Sequence, residues 1–180
     1  SRTFMRLFIS TILLLPGLGM AATYPVGPGE TYTTLNALFS AVNLGPDDIV
    51  EVTGGTTYPG GVVVPAADGG SAGHPVIIRG LRVGGQRPVI SGGSNTVEFR
   101  QSDHLVFEGF EVQGGSARCI LQGAHDVTVR DSVIHDCAGH GILGTDLESG
   151  SFTLEYSEIY DAGNGTSQHP LYIQSDEIAH

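Results

Sequence analysis

Residues 127–142 read VTVRDSVIHDCAGHGI, and the chemistry in them sits at His135, Asp136 and His140. A histidine titrates close to neutrality, so His135 can act as a general base or acid, and a carboxylate beside it raises its pKa and orients the ring. Tyr160, Asp161 and His169 follow further along the chain. If the fold sets Asp136 next to Asp161, two carboxylates that close need a reason. A Ca²⁺ ion or a shared proton is one; Asx-type turns, in which each acid bonds its own backbone, are the other. His140 and His169, stacked with Asp136 nearby, could ligate a transition metal, although no H-x-x-x-H or C-x-x-C spacing is present; solvent-facing turn histidines account for the same residues. Tyr156, Tyr160 and Tyr172 offer faces for stacking sugar rings and are equally ordinary in strands. The candidate catalytic residues are therefore His135, Asp136, Asp161 and His169. Tyr160, Tyr172, Arg130 and His140 are candidate substrate contacts, and Asp136 with Asp161 candidate metal ligands.

What must position these residues is a repeat. Leu105, Val127 and Phe152 fall in one column at spacings of 22 and 25 residues. Phe107, Val129 and Leu154 form a second, and Val112, Ile134 and Ile159 a third. Val97, Ile120 and Ile142 keep step at 23 and 22. Short apolar runs between Gly, Asn, Asp and Ser clusters, recurring with a period in the low twenties, describe a solenoid of stacked strands. Leucine-rich repeats are excluded by the missing Leu-x-x-Leu-x-Leu pattern, and a β-sandwich would not keep inward residues in columns. A parallel β-helix does, with coils about 4.8 Å apart. The columns predict that Gln113, His135 and Tyr160 share one surface line and Gly114, Asp136 and Asp161 the next. Glu108, Arg130 and Glu155 form an outer column of alternating charge, which is good ladder chemistry in itself. Upstream, Leu35, Leu38, Phe39 and Val42 have helical spacing and NLGP at 43–46 ends the helix.

Composition narrows the partners. The chain has 180 residues, a net charge of −11 and eight basic residues, all arginine. That balance excludes nucleic acid, which needs clustered cations. An acidic polysaccharide would need a bridging metal or a local arginine patch. No phosphate loop, nucleotide fingerprint or Ser/His/Asp signature is present, so no nucleotide or organic cofactor is expected. Arg2 and Arg6, the run LFISTILLLPGLGM and the small residues GMAAT read as a signal peptide cut after Ala21. Secretion, or delivery to the periplasm, follows, with no membrane attachment after cleavage. In an oxidising compartment Cys119 and Cys137 can pair, or can serve simply as small buried residues. Asn164-Gly165-Thr166 fits a glycosylation signal formally.

The helix-then-strand opening, GSAGHPVIIRG followed by QRPVISGG, and the coils DHLVFEGFEVQGG and HDVTVRDSVIHDCAGHGI resemble secreted right-handed parallel β-helix proteins of the pectate-lyase-like superfamily, over about residues 24 to 180. The resemblance implies a right-handed all-β solenoid, with segment 33–42 as the cap over its open end. It implies a polysaccharide or oligosaccharide partner, lyase or glycoside hydrolase chemistry, and Ca²⁺ as a possible cofactor. A lyase of this kind uses Lys or Arg as base; here Arg79, Arg100 and Arg130 are the candidates. A non-catalytic β-helix that binds glycans or builds a surface structure is the alternative. The expected organisation is a signal peptide at 1–21, a cap at 22–54 and coils over 55–180, in a monomer. The final LYIQSDEIAH brings no capping element, so an N-terminal fragment is expected.

Overall fold

The computed structural model describes residues 19–145 and 149–174. The expected signal segment lies almost wholly outside them. Strand β1 (Thr23–Val26) and helix α1 (Leu35–Ala41) precede five coils of three strands each. These are β2 (Ile49–Thr53), β3 (Thr57–Pro59) and β4 (Val62–Val64); then β5 (Val76–Leu81), β6 (Val89–Ser91) and β7 (Asn95–Arg100). Next come β8 (Leu105–Glu108), β9 (Glu111–Gln113) and β10 (Arg118–Gly123), then β11 (Val127–Arg130), β12 (Val133–Cys137) and β13 (His140–Gly144). The fifth coil is β14 (Phe152–Glu155), β15 (Glu158–Ala162) and β16 (Leu171–Ile173). Corresponding strands stack in register into three sheets, and every strand pairing among the described residues is parallel.

The expected columns are the observed ones. Leu105 pairs with Val127 and Val127 with Phe152 in the first sheet. Val112, Ile134 and Ile159 align in the second, and Val97, Ile120 and Ile142 in the third. Their side chains fill the core together with Phe99, Phe107 and Phe110. Phe107 and Phe110 stack at 4.3 Å between centroids, and Phe99 meets Phe107 edge-on at 5.5 Å. The apolar runs at 105–112, 127–134 and 152–159 each break in the middle. At the break the chain turns from the first sheet to the second through a left-handed residue: Gly109 (φ 81°), Asp131 (φ 45°) and Tyr156 (φ 50°).

Helix α1 begins where Thr34 accepts a hydrogen bond from Ala37 N at 3.2 Å. It buries Leu35, Leu38 and Phe39 against the core at the start of the solenoid, as the spacing predicted. Strand β2 already belongs to the first coil, pairing with β1 on one side and β5 on the other. The divide expected between 54 and 55 thus falls inside that coil. Cys119 and Cys137 form a disulfide across the boundary between the third and fourth coils.

The alternating column is longer than expected. Glu51, Arg79, Glu108, Arg130 and Glu155 are in register through five coils. Arg79 Nε lies 2.7 Å and Arg130 Nε 2.8 Å from the two oxygens of Glu108, and Arg130 Nη1 lies 3.3 Å from Glu155.

Candidate active site

The predicted site residues other than Arg130 fall at or beside the corner where the second sheet turns into the third. Asp136 (φ 51°) and Asp161 (φ 47°) occupy left-handed positions there, in line with Gly114 (φ 77°) one coil earlier. Gly114 N donates to Asp136 O at 3.1 Å, so the column is continuous. Aspartate tolerates this conformation better than most residues, so both acids serve the turn itself. The corner is therefore built by backbone geometry, and the chemistry collects on its two sides.

On the second sheet His135 is 7% exposed. Asp136 Oδ2 lies 2.8 Å from its Nδ1, and Glu111 Oε1, reaching diagonally from the third coil, lies 2.7 Å from its Nε2. Tyr160, in register one coil on, stacks over the imidazole at 4.9 Å and 8° between planes. Burial pulls the His135 pKa down, but the bonds and charges of Glu111 and Asp136 outweigh it and leave the group above its ordinary value. Both ring nitrogens are engaged, so protonation strengthens both contacts. This is a closed arrangement.

On the third sheet the arrangement is open. Arg118 opens β10, in register with Asn95 before it and His140 after it. Its Nη1 donates to Asn95 Oδ1 at 3.2 Å. The rings of His140, His169 and Tyr172 lie 5.8–6.1 Å apart, with His169 and Tyr172 nearly parallel at 18°. His169 N donates to His140 Nδ1 at 3.1 Å. An acceptor Nδ1 places the ring proton on Nε2. Burial first, then electrostatic interaction with neighbouring His169 and Arg118, hold the His140 pKa below its ordinary value. The neutral ring therefore offers an Nε2–H donor. His169 reaches this position through the long turn at 163–170, where only Ala138 and Gly139 connect the strands of the preceding coil. Asn164 Oδ1 organises that turn by accepting from the backbone of Thr166, Ser167 and Gln168 at 3.0–3.1 Å.

The predicted residues thus divide between two sites. His135, Asp136, Tyr160 and Asp161 gather on the second sheet, whereas His169 joins His140 and Tyr172 on the third. Arg130 is on neither; its guanidinium lies between Glu108 and Glu155 on the first sheet. The sequence reading overlooked Glu111 and Arg118. The 22-residue offset between Arg118 and His140 equals that between Leu105 and Val127, and this was the available signal.

No protein-family model and no curated protein matches the chain. Among solved structures, an alginate lyase from Paenibacillus sp. str. FPU-7 superposes with a TM-score of 0.60 at 22% identity, covering 77% of this chain and 44% of its own. The pectate lyase Pel9A superposes with a TM-score of 0.59 at 16% identity, covering 88% of this chain and 46% of its own. The fold is the pectate-lyase-like parallel β-helix. This β-helix spans under half the length of either structure. Identities this low establish the architecture; chemistry has to be argued from the side chains themselves.

Ca²⁺ takes about six to eight oxygen ligands. The corner brings Asp136 and Asp161 to neighbouring coils, but Asp136 is held by His135. Among the described residues no group of three or more His, Cys, Asp or Glu side chains could hold a metal. Among the described residues, two carboxylates, one of them already bonded to a histidine, fall short of that shell.

Proposed function

We propose that this chain is an exported, carbohydrate-active β-helix that binds a polysaccharide along the corner between its second and third sheets and cleaves it by elimination. The observation that carries this reading is the grouping of His140, His169 and Tyr172 beside Arg118. Elimination from a uronate needs a cation facing the carboxylate, a base for the proton next to it, and a donor for the departing oxygen. Arg118 supplies the cation and His169 the base. His140, neutral with its proton on Nε2, supplies the donor, and Tyr172, 44% exposed, gives the sugar ring a surface to stack on. The two lyase structures of the same fold support a polysaccharide as the partner.

A second reading rests on Glu111 and Asp136, two carboxylates flanking one imidazole under Tyr160. Paired carboxylates are the requirement for glycoside hydrolysis.

Incubating the full chain with alginate, pectate and a neutral glucan separates the readings. Elimination creates a double bond that absorbs in the ultraviolet, whereas hydrolysis releases reducing ends without it. The expected result is ultraviolet-absorbing product from a uronate polymer, abolished by Arg118→Ala and by His169→Ala and retained in Glu111→Gln. Reducing ends alone, lost in Glu111→Gln, would establish the second reading. Retention of a polymer on an affinity gel without any cleavage would leave a binding protein.

A further inference from the structure

Ala22 is where the chain, exposed at Met20, becomes part of the fold. Met20 is 94% exposed, and nothing lies within 4 Å of where a Cβ on Gly19 would stand. At Ala22 both backbone groups are tied down: its N–H donates to Asp48 Oδ1 at 2.8 Å, and its carbonyl accepts from Ile49 N at 2.9 Å. From Thr23 onward β1 pairs continuously with β2. Asp48 is 9% exposed, and its other oxygen accepts from Gly45 N at 2.8 Å. A nearly buried carboxylate is thus aimed at the backbone nitrogen that follows the small residues Gly19 and Ala21, the pattern a signal peptidase cuts.

We propose that Ala22 is the mature N-terminus and that its α-ammonium pairs with Asp48, fastening β1 to the first coil. The step is hydrolysis. A signal peptidase adds water across the Ala21–Ala22 bond, leaving the carboxylate on the departing leader and the amine, which takes up a proton, on Ala22. A neutral amide donor becomes a cation with three donors at an unchanged position, and the buried carboxylate gains a partner of opposite charge. Processing therefore strengthens the fold at the residue it exposes. The proposal rests on export, as the functional reading does, but on none of the active-site assignments.

The test exports the full chain from a bacterial host and determines the N-terminus of the recovered protein by sequencing and intact mass. A start at Ala22 is expected; a start elsewhere, or a retained leader, overturns the proposal. Thermal melting then compares the chain beginning at Ala22 with one beginning at Ala21, each with and without Asp48→Asn. Losing a charge-assisted bond should lower the melting temperature of the Ala22 chain by roughly 5 °C more than that of the longer chain. Equal losses overturn the ion pair. Acetylating the α-amine of the Ala22 chain, which needs no substitution, should reproduce most of that loss; an acetylated chain that melts unchanged overturns it as well.

Discussion

Breaking the Cys119–Cys137 bond perturbs the solenoid where the third coil meets the fourth, which carries His135 and His140. The two cysteines are 18 residues apart and belong to consecutive coils. In the chain-entropy account, a closed loop of that length restricts the unfolded chain enough to be worth about 3 kcal/mol. Both sulfurs lie in the core, with Cys119 0% and Cys137 4% exposed, so alanine at both positions removes the link and little volume. For a chain of this size about 3 kcal/mol corresponds to a fall in melting temperature of roughly 6–12 °C. Urea unfolding of the wild type and of the Cys119→Ala/Cys137→Ala chain, both without reductant, measures the difference directly. A reductant should then lower the wild type toward the double variant and leave the variant unchanged. The bond should also resist reduction until the chain opens, because neither sulfur is accessible in the fold. A stability loss below about 1 kcal/mol would refute the loop argument. It would mean that the stacked coils already hold the unfolded chain near that geometry.

The raised pKa of His135 makes a second prediction, with a definite sign. Its contribution is complete below the ordinary value of 6.5 and is lost as pH rises through the higher folded value, so the stability gap between wild type and His135→Gln should be wide at pH 5 and shrink above neutrality. Melting curves from pH 5 to 9 test this, and a gap independent of pH rejects it. In the charge ladder, Arg130→Glu would set three carboxylates on successive coils and should cost roughly 1–2 kcal/mol. Adding Glu108→Arg restores alternation between those two positions, so urea unfolding should show partial recovery; two additive losses would mean the ladder is energetically idle.

Much of this architecture was legible because the solenoid turns packing into a period. An inward residue such as Val127 has its partners one repeat away in both directions, so the columns could be written down from spacing alone. The helix at 35–41 was legible for a similar reason, with Leu35, Leu38 and Phe39 marking one face. Strands β1 and β3 were not, because TYPV and TYP are short and carry a proline. The site was less legible than the fold. Glu111 is in register with Val133, yet its carboxylate bonds His135 two positions further on. Column reasoning finds partners directly opposite and misses this diagonal. The sequence pairs His169 with His140, and their rings do lie 6.0 Å apart, but the turn at 163–170 breaks the period that placed everything else. Once that turn is allowed for, the 29-residue offset from His140 to His169 matches the one from Ile142 to Leu171.

The ladder Glu51–Arg79–Glu108–Arg130–Glu155 has a bearing on how such a chain finds its register. Every coil presents nearly the same apolar interior, so a coil could in principle stack on the wrong neighbour and still bury its core. Alternating signs supply a parity check. A chain that loops out one coil brings glutamate against glutamate or arginine against arginine, while correct stacking always opposes them. Interior packing rewards any stacking, and the surface column distinguishes odd from even. A repetitive protein thereby counts its own turns with one charged residue in each.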